Sequence, residues 1–190
     1  LVHAILDGAD YRAGSLQESA PEEAEARLTT LRVMSIEQLE QVVEELTGFV
    51  WTYEGMDELA NDQTGYRILG GGIDGHQVTQ PAREPSLASS LLLKRLAQAG
   101  AAWVVQKELV EGGEPRLFRY VSLGSDTPGQ PDFTAELHQL HLRLHGADAS
   151  TEQLARDEAL WTEVEALSDP ATAWASLISV MIRDPAFWSY

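Results

Sequence analysis

Pro170-Ala171-Thr172-Ala173-Trp174-Ala175-Ser176-Leu177-Ile178-Ser179-Val180-Met181-Ile182 decides the fold class. Its apolar residues come in doublets, Ala173-Trp174, Leu177-Ile178 and Met181-Ile182, spaced four apart, so on a helix they stack into one broad face. Pro170 suits a first helical turn, where its missing N–H is not needed. A helix with so wide an apolar face requires other helices around it.

The neighbouring stretches supply them. Thr151 to Leu167 carries Leu160, Trp161 and Val164 at helical spacing, and Thr134 to His145 carries Leu137, Leu140 and Leu144 before Gly146 ends it. Pro128 to Pro131 separates this group from Leu117 to Leu123, a short β-prone run expected as a small strand or an extended packing arm. Further back, Ser86 can cap a helix running to about Leu109, closed by Gly112-Gly113, with Leu92, Leu96, Ala99 and Trp103 on a stripe. Lys94, Arg95 and Gln98 in its middle argue against a membrane span, and it reads as the central buried helix. Ser35-Ile36-Glu37-Gln38 has the form of a capping box, followed by Ile36, Leu39, Val43 and Leu46 on one face and Gly48 as the stop. Between these two helices, Phe49 to Tyr53 is aromatic and apolar, Glu54 to Thr64 reads as a polar surface excursion, and residues 70–85 form a long Gly-rich loop. The expectation is an all-α fold, an irregular bundle of five or six helices with at most one short strand, spanning residues 28–190. Residues 1–27 read as the end of a preceding unit plus a Glu-rich linker, because Leu1-Val2-His3-Ala4-Ile5-Leu6 resembles the last turns of a helix and Leu1 to Tyr11 can be laid over Leu177 to Phe187.

Composition narrows the function classes. The 190 residues hold 30 Asp plus Glu against 13 Lys plus Arg, a formal charge of -17. Such a surface repels a phosphate backbone and an anionic membrane face, which argues against nucleic-acid and lipid-surface binding. With no cysteine there is no disulfide, no thiolate metal site, no iron–sulfur cluster and no covalently attached haem within this chain.

Several constellations bear on chemistry. Gly70, Gly72 and Gly75 satisfy G-x-G-x-x-G, but Pro81 and Pro85 forbid the helix that a dinucleotide fingerprint needs directly afterwards. The glycines read instead as a structural loop, with Asp74 hydrogen-bonding the turn. His138, His141 and His145 fall at i, i+3 and i+7 on one side of a helix, beside the Leu137, Leu140 and Leu144 stripe, with Glu136 just outside the array. Imidazoles at that spacing can bind zinc, copper or the iron of a non-covalent haem. The outer two stand about 10 Å apart along the axis, too far for all three to hold one ion. Asp57, Glu58, Asn61 and Asp62 gather oxygens without the spacing of a calcium loop. No G-x-S-x-G occurs, and Ser90 precedes Lys94 by four, not three.

Arg32 to Leu39 with Leu46-Thr47-Gly48, then Asp62-Gln63-Thr64-Gly65-Tyr66-Arg67-Ile68-Leu69-Gly70-Gly71-Gly72-Ile73-Asp74-Gly75 with Val78-Thr79, and Ile182 to Phe187 are similar to helical modules of uncharacterised exported proteins. Those modules occur in planctomycete and myxobacterial chains that also carry c-type cytochrome domains. The resemblance implies an all-α fold, a periplasmic or cell-surface location, and proximity to electron-transfer or large-substrate degradation machinery. It transfers no catalytic residue. Because this chain has no C-x-x-C-H, any haem c belongs to an associated domain or subunit.

Three functions compete at this level. The first is a non-catalytic structural and interaction module of a larger extracytoplasmic, cytochrome-linked protein. Its acidic surface would dock other domains of the same polypeptide, a partner subunit or a basic electron carrier. The second is a metal- or haem-binding redox protein using His138, His141 and His145. The third is a hydrolase-type enzyme with Asp74 or His76 as an acid/base group beside the Gly-rich loop.

Overall fold

A computed structural model of the chain describes residues 33–62, 64–73, 76, 78–80, 82, 86–124 and 127–189. The chain divides between Arg32 and Val33. The expectations for residues 1–27, and for a helical domain beginning at residue 28, therefore bear on a stretch up to Arg32 that lies outside the described residues.

Helix α1, Ile36–Thr47, begins at Ser35 with a full capping box: Gln38 N–H donates to Ser35 Oγ at 3.3 Å, and Ser35 N–H to Gln38 Oε1 at 2.9 Å. A cap of this kind stabilises a helix by about 1 kcal/mol. Gly48 ends it in the left-handed conformation, φ 71°. Its buried face is Ile36, Leu39, Val43 and Thr47. A hairpin of two very short strands follows, β1 (Thr52–Tyr53) antiparallel to β2 (Met56–Asp57), and then the single turns α2 (Glu58–Asn61) and α3 (Tyr66–Leu69). This stretch is more than a surface excursion. Leu59 and the Glu58 side chain are buried, because α2 turns them under α1.

Helix α4, Leu87–Val104, is capped by Ser86 through Ser89 N–H at 3.0 Å and runs on into a π-helical turn, Val105–Val110. Its inward stripe is Leu92, Leu96, Gly100 and Val104, with Ala97 and Ala101 beside it. Trp103, expected on that stripe, is 43% exposed, edge-on to Phe49 with Lys107 Nζ 5.1 Å from its ring centroid. The small residues carry the buried face because they permit close approach: a Cβ on Gly100 would lie 3.1 Å from Val43 Cγ1 of α1.

The last three long helices are α5 (Pro131–His145), α6 (Thr151–Leu167) and α7 (Pro170–Arg183), followed by the single turn α8 (Pro185–Trp188). The centre of the bundle is α7, not α4. It packs on both α4 and α6, and it buries Ala173, Trp174, Leu177, Ile178, Ser179, Met181 and Ile182 around most of its circumference. By contrast, Leu87, Leu91 and Trp103 leave α4 with an exposed side. Trp174 joins Phe118, Phe133 and Trp161 in an aromatic nest with centroid separations of 5.1 to 5.8 Å. Each such ring removes enough apolar surface from water to contribute roughly 2–3 kcal/mol. Met34 N–H donates to Trp188 O at 2.8 Å, tying the strand-like residues before α1 to the end of the chain. The fold is all-α, with five helices of 12 to 18 residues and one two-stranded hairpin among the described residues. No helix among them is long and apolar enough to cross a membrane.

Candidate functional site

Polar side chains flank both sides of the apolar stripe of α5. At about 100° per residue, Leu137, Leu140 and Leu144 define the inward direction, Glu136 and Arg143 fall on one flank, and His138, His141 and His145 on the other. The two flanks do different things.

The Glu136 flank holds the segment expected as a small strand. Leu117 to Val121 forms neither a strand nor a straight extended arm; it is irregular, with bends at Leu117, Arg119 and Tyr120, and its N–H groups are taken by carboxylates instead of a neighbouring strand. Glu108, on the π turn, accepts from Leu117 N–H at 3.1 Å with either oxygen and from Phe118 N–H at 2.9 Å. Glu136 Oε2 accepts from Arg119 N–H at 2.9 Å and Tyr120 N–H at 2.6 Å. Arg143 Nη2 donates to Arg116 O at 2.9 Å and so anchors the start of the arm. A buried carboxylate is stable only where donors meet it. Glu136 is fully buried, and that burial pushes its carboxyl up, opposed by the N–H groups of Tyr120, Arg119 and Val121 and reinforced by the Glu108 charge. Among the described residues its second oxygen, Oε1, has no hydrogen-bond partner.

The histidine flank faces α6 and α7. The three residues are not brought to one point. His138 lies apart, its Nδ1 2.6 Å from Asp148 Oδ1 just beyond the helix end, and that contact holds Asp148 below the usual carboxylate range. His141 is buried; its Nε2 is 2.6 Å from Asp157 Oδ2 on α6. His145 Nε2 is 3.0 Å from Met181 O on α7, and its Nδ1 is 3.2 Å from His141 Nδ1. Helix register explains the pairing: i and i+4 share a face one turn apart, and the two rings meet at 5.1 Å. Among the described residues no group of three His, Asp or Glu is arranged to hold a metal ion.

The remaining sequence candidates have local occupations. Asp57 Oδ1 caps α2 through Ala60 N–H at 2.9 Å, Asn61 Nδ2 donates to Asp57 O at 2.8 Å, and Asp62 Oδ1 accepts from Arg67 N–H at 2.9 Å. Glu58 Oε1 accepts from the backbone and hydroxyl of Thr64. These oxygens organise turns. In the Gly-rich loop a Cβ on Gly70 would fall 2.7 Å from Leu92 Cδ2 and 2.8 Å from Ile36 Cγ1; one on Gly72 would fall 2.8 Å from Ile36 Cγ2. Close approach to α1 and α4 therefore demands glycine at both positions. Asp74 and Gly75 lie outside the described residues, and His76 is exposed. A small apolar cavity of about 50 Å³ lies beside Gly70, between Met34, Ile36, Leu93 and Trp188.

One cluster escapes sequence reasoning altogether. Glu40 on α1 faces Asp57, and its carboxyl is pushed up to about 8 by partial burial first, then by its hydrogen bond to Asp57 and the charges of Asp57, Glu44 and Glu37. Two carboxyl groups sharing a proton explain this pairing. Asp157, Glu108 and the carbonyl of Met181 were equally invisible, since each acquires its partner only through tertiary packing.

No family model, curated protein or solved structure matches the chain.

Proposed function

We propose that the chain is a non-catalytic helical interaction module whose acidic surface docks a basic partner, within a larger extracytoplasmic, cytochrome-linked protein. The observation that carries this reading is the charge of -17 combined with the employment of the interior ionisable groups. Glu108 and Glu136 hold backbone, Asp157 orients an imidazole, and Asp57 caps a turn. Glu44, Glu45, Glu54, Glu114, Asp132 and Glu163 carry their charge to the exposed surface. A field of one sign accelerates encounter with an oppositely charged partner and fades as salt screens it. The extracytoplasmic, cytochrome-linked context rests on the sequence resemblance, in which any haem c resides in an associated domain or subunit. Of the two residues named for the hydrolase alternative, His76 is exposed and Asp74 lies outside the described residues.

Calorimetric titration of the full chain with a basic c-type cytochrome, at low and at physiological ionic strength, tests the proposal. Binding that weakens steeply with salt, and that weakens again in the Glu44→Gln/Glu45→Gln double variant, supports it. Absence of binding at low salt, or binding indifferent to salt, overturns it.

A further inference from the structure

Three contacts in a row run from α6 to α7 through the last turn of α5. Asp157 Oδ2 lies 2.6 Å from His141 Nε2, His141 Nδ1 lies 3.2 Å from His145 Nδ1, and His145 Nε2 lies 3.0 Å from Met181 O. Each contact is completed by one proton. The carbonyl of Met181 can only accept, so His145 holds a proton on Nε2. The carboxylate of Asp157 accepts likewise, so His141 holds one on its own Nε2. The third lies between the two Nδ1 atoms, donated by one ring and accepted by the other. Whichever ring owns it, the pair carries one positive charge beside one carboxylate, where the His141 side chain is 5% and the Asp157 side chain 16% exposed. Charge and hydrogen bonds balance at three protons.

We propose that this row is an acid-sensitive clasp, closed with three protons and opened by a fourth. A fourth proton turns both Nδ1 atoms into donors, so two N–H groups and two positive charges face each other where one hydrogen bond stood. Among the described residues no acceptor stands by to relieve them. On α6, Asp157 is already engaged, and no other ionisable residue of that helix hydrogen-bonds either ring. From α7 comes a carbonyl, its one ionisable residue, Arg183, being exposed, and α8 has no ionisable residue. Asp148, in the turn after α5, feels the His141 charge but is held by His138, and Glu136 and Arg143 lie on the opposite flank of α5. Met181 stands near the end of α7, just ahead of α8, whose Trp188 O accepts from Met34 N–H. Opening therefore loosens α7 where it carries α8 and the residues before α1. Unfolded, the two imidazoles hold four protons in acid and two in base, against three in the clasp. Stability falls as pH drops below the ordinary imidazole range, about 6.5, because the unfolded chain then binds the extra proton. It falls again as pH rises above that range, because the unfolded chain then holds one proton fewer than the clasp.

The test compares urea unfolding of the full chain with that of His145→Gln from about pH 4.5 to about pH 8. Glutamine can accept from His141 Nδ1–H and donate to Met181 O without titrating, so the substitution keeps the row and removes the site of the fourth proton. Below the imidazole range the unfolding constant of the parent chain should rise relative to the variant's by up to about tenfold per pH unit; above it the ratio should be constant. Long-range ¹H–¹⁵N spectra of the parent chain at about pH 6.5 should show both Nε2 atoms protonated and a single proton between the Nδ1 atoms. On acidification the fourth proton should arrive together with a shift of the Met181 carbonyl carbon resonance. The proposal is overturned by a ratio that stays flat over the whole range, by a pair that holds only two protons at about pH 6.5, or by a fourth proton bound with the Met181 carbonyl unmoved. Should His145→Gln fail to fold, the spectra of the parent chain decide the matter alone.

Discussion

The two flanks of α5 are built from the same kind of material, ionisable side chains brought against neighbouring elements, yet they resolve differently. On the Glu136 flank, acceptor meets donor: a carboxylate can only accept and an arm of backbone N–H groups can only donate, so the match is complete apart from Glu136 Oε1. On the His141 flank each ring nitrogen can donate or accept, and one proton between the two Nδ1 atoms completes their contact while the Nε2 atoms meet Asp157 and Met181 O. The difference lies in the side-chain chemistry more than in the burial. A carboxylate finishes its contacts by accepting alone, whereas the two rings finish theirs by sharing a proton.

The largest effect should come from the finished flank. Glu136→Ala strands the N–H groups of Arg119 and Tyr120, and should lower the unfolding free energy by about 3 kcal/mol in urea titration, with Glu136→Gln costing about half as much because one acceptor remains. A near-neutral Glu136→Ala would mean that the arm is not held by this carboxylate and would erase the contrast between flanks. Asp157→Asn, on the other flank, should lower the unfolding free energy by about 2 kcal/mol in urea titration, since the buried His141 ring loses its charged acceptor. An unchanged stability would show that the carboxylate does not hold the buried imidazole.

Glu40 tests what repulsion alone does. Its folded carboxyl, held near 8, lies above the ordinary 4.5, so the folded state retains a proton that the unfolded state has released. The stability it contributes is fully present below about pH 4.5 and is lost as pH rises towards 8. Glu40→Gln should therefore be more stable than the parent chain at pH 8.5, by about 1 kcal/mol once solvent screening is allowed for, and the difference should shrink on acidification. A pH-independent difference between the two would count against the shared proton. The smallest effect belongs to His138→Ala. Its partner Asp148 is exposed, and the variant's melting midpoint should match that of the parent chain.

Much of the fold is legible in the residues. Ser35 with Gln38, Ser86, and Gly48 and Gly146 mark helix ends by local backbone chemistry, and the doublets of residues 173–182 announce a helix that must be surrounded. What misleads is size. Leu92, Leu96 and Trp103 suggest a stripe led by the bulky ring, but Gly100, Ala97 and Ala101 form the contact face because small residues bring helix axes together. Residues 117–123 are β-prone in composition, but a strand needs a partner strand and these residues find carboxylates, so the chain bends at Leu117, Arg119 and Tyr120 and turns at Leu123. The histidine spacing groups three rings, of which packing brings two, His141 and His145, into contact. Periodicity places three rings on one side without revealing which partners lie opposite them.

The sequence by itself determined the helices, their ends, the charge of -17 and the exclusion of thiol chemistry, since these follow from neighbouring residues and composition. Only the tertiary structure decided the rest. It made α7 the centre, separated His138 from its neighbours, and set Asp157 and the Met181 carbonyl behind a pair of facing nitrogens. Those partners lie 16 and 36 positions from the rings they hold, and no local rule joins residues so far apart until packing has brought the helices together.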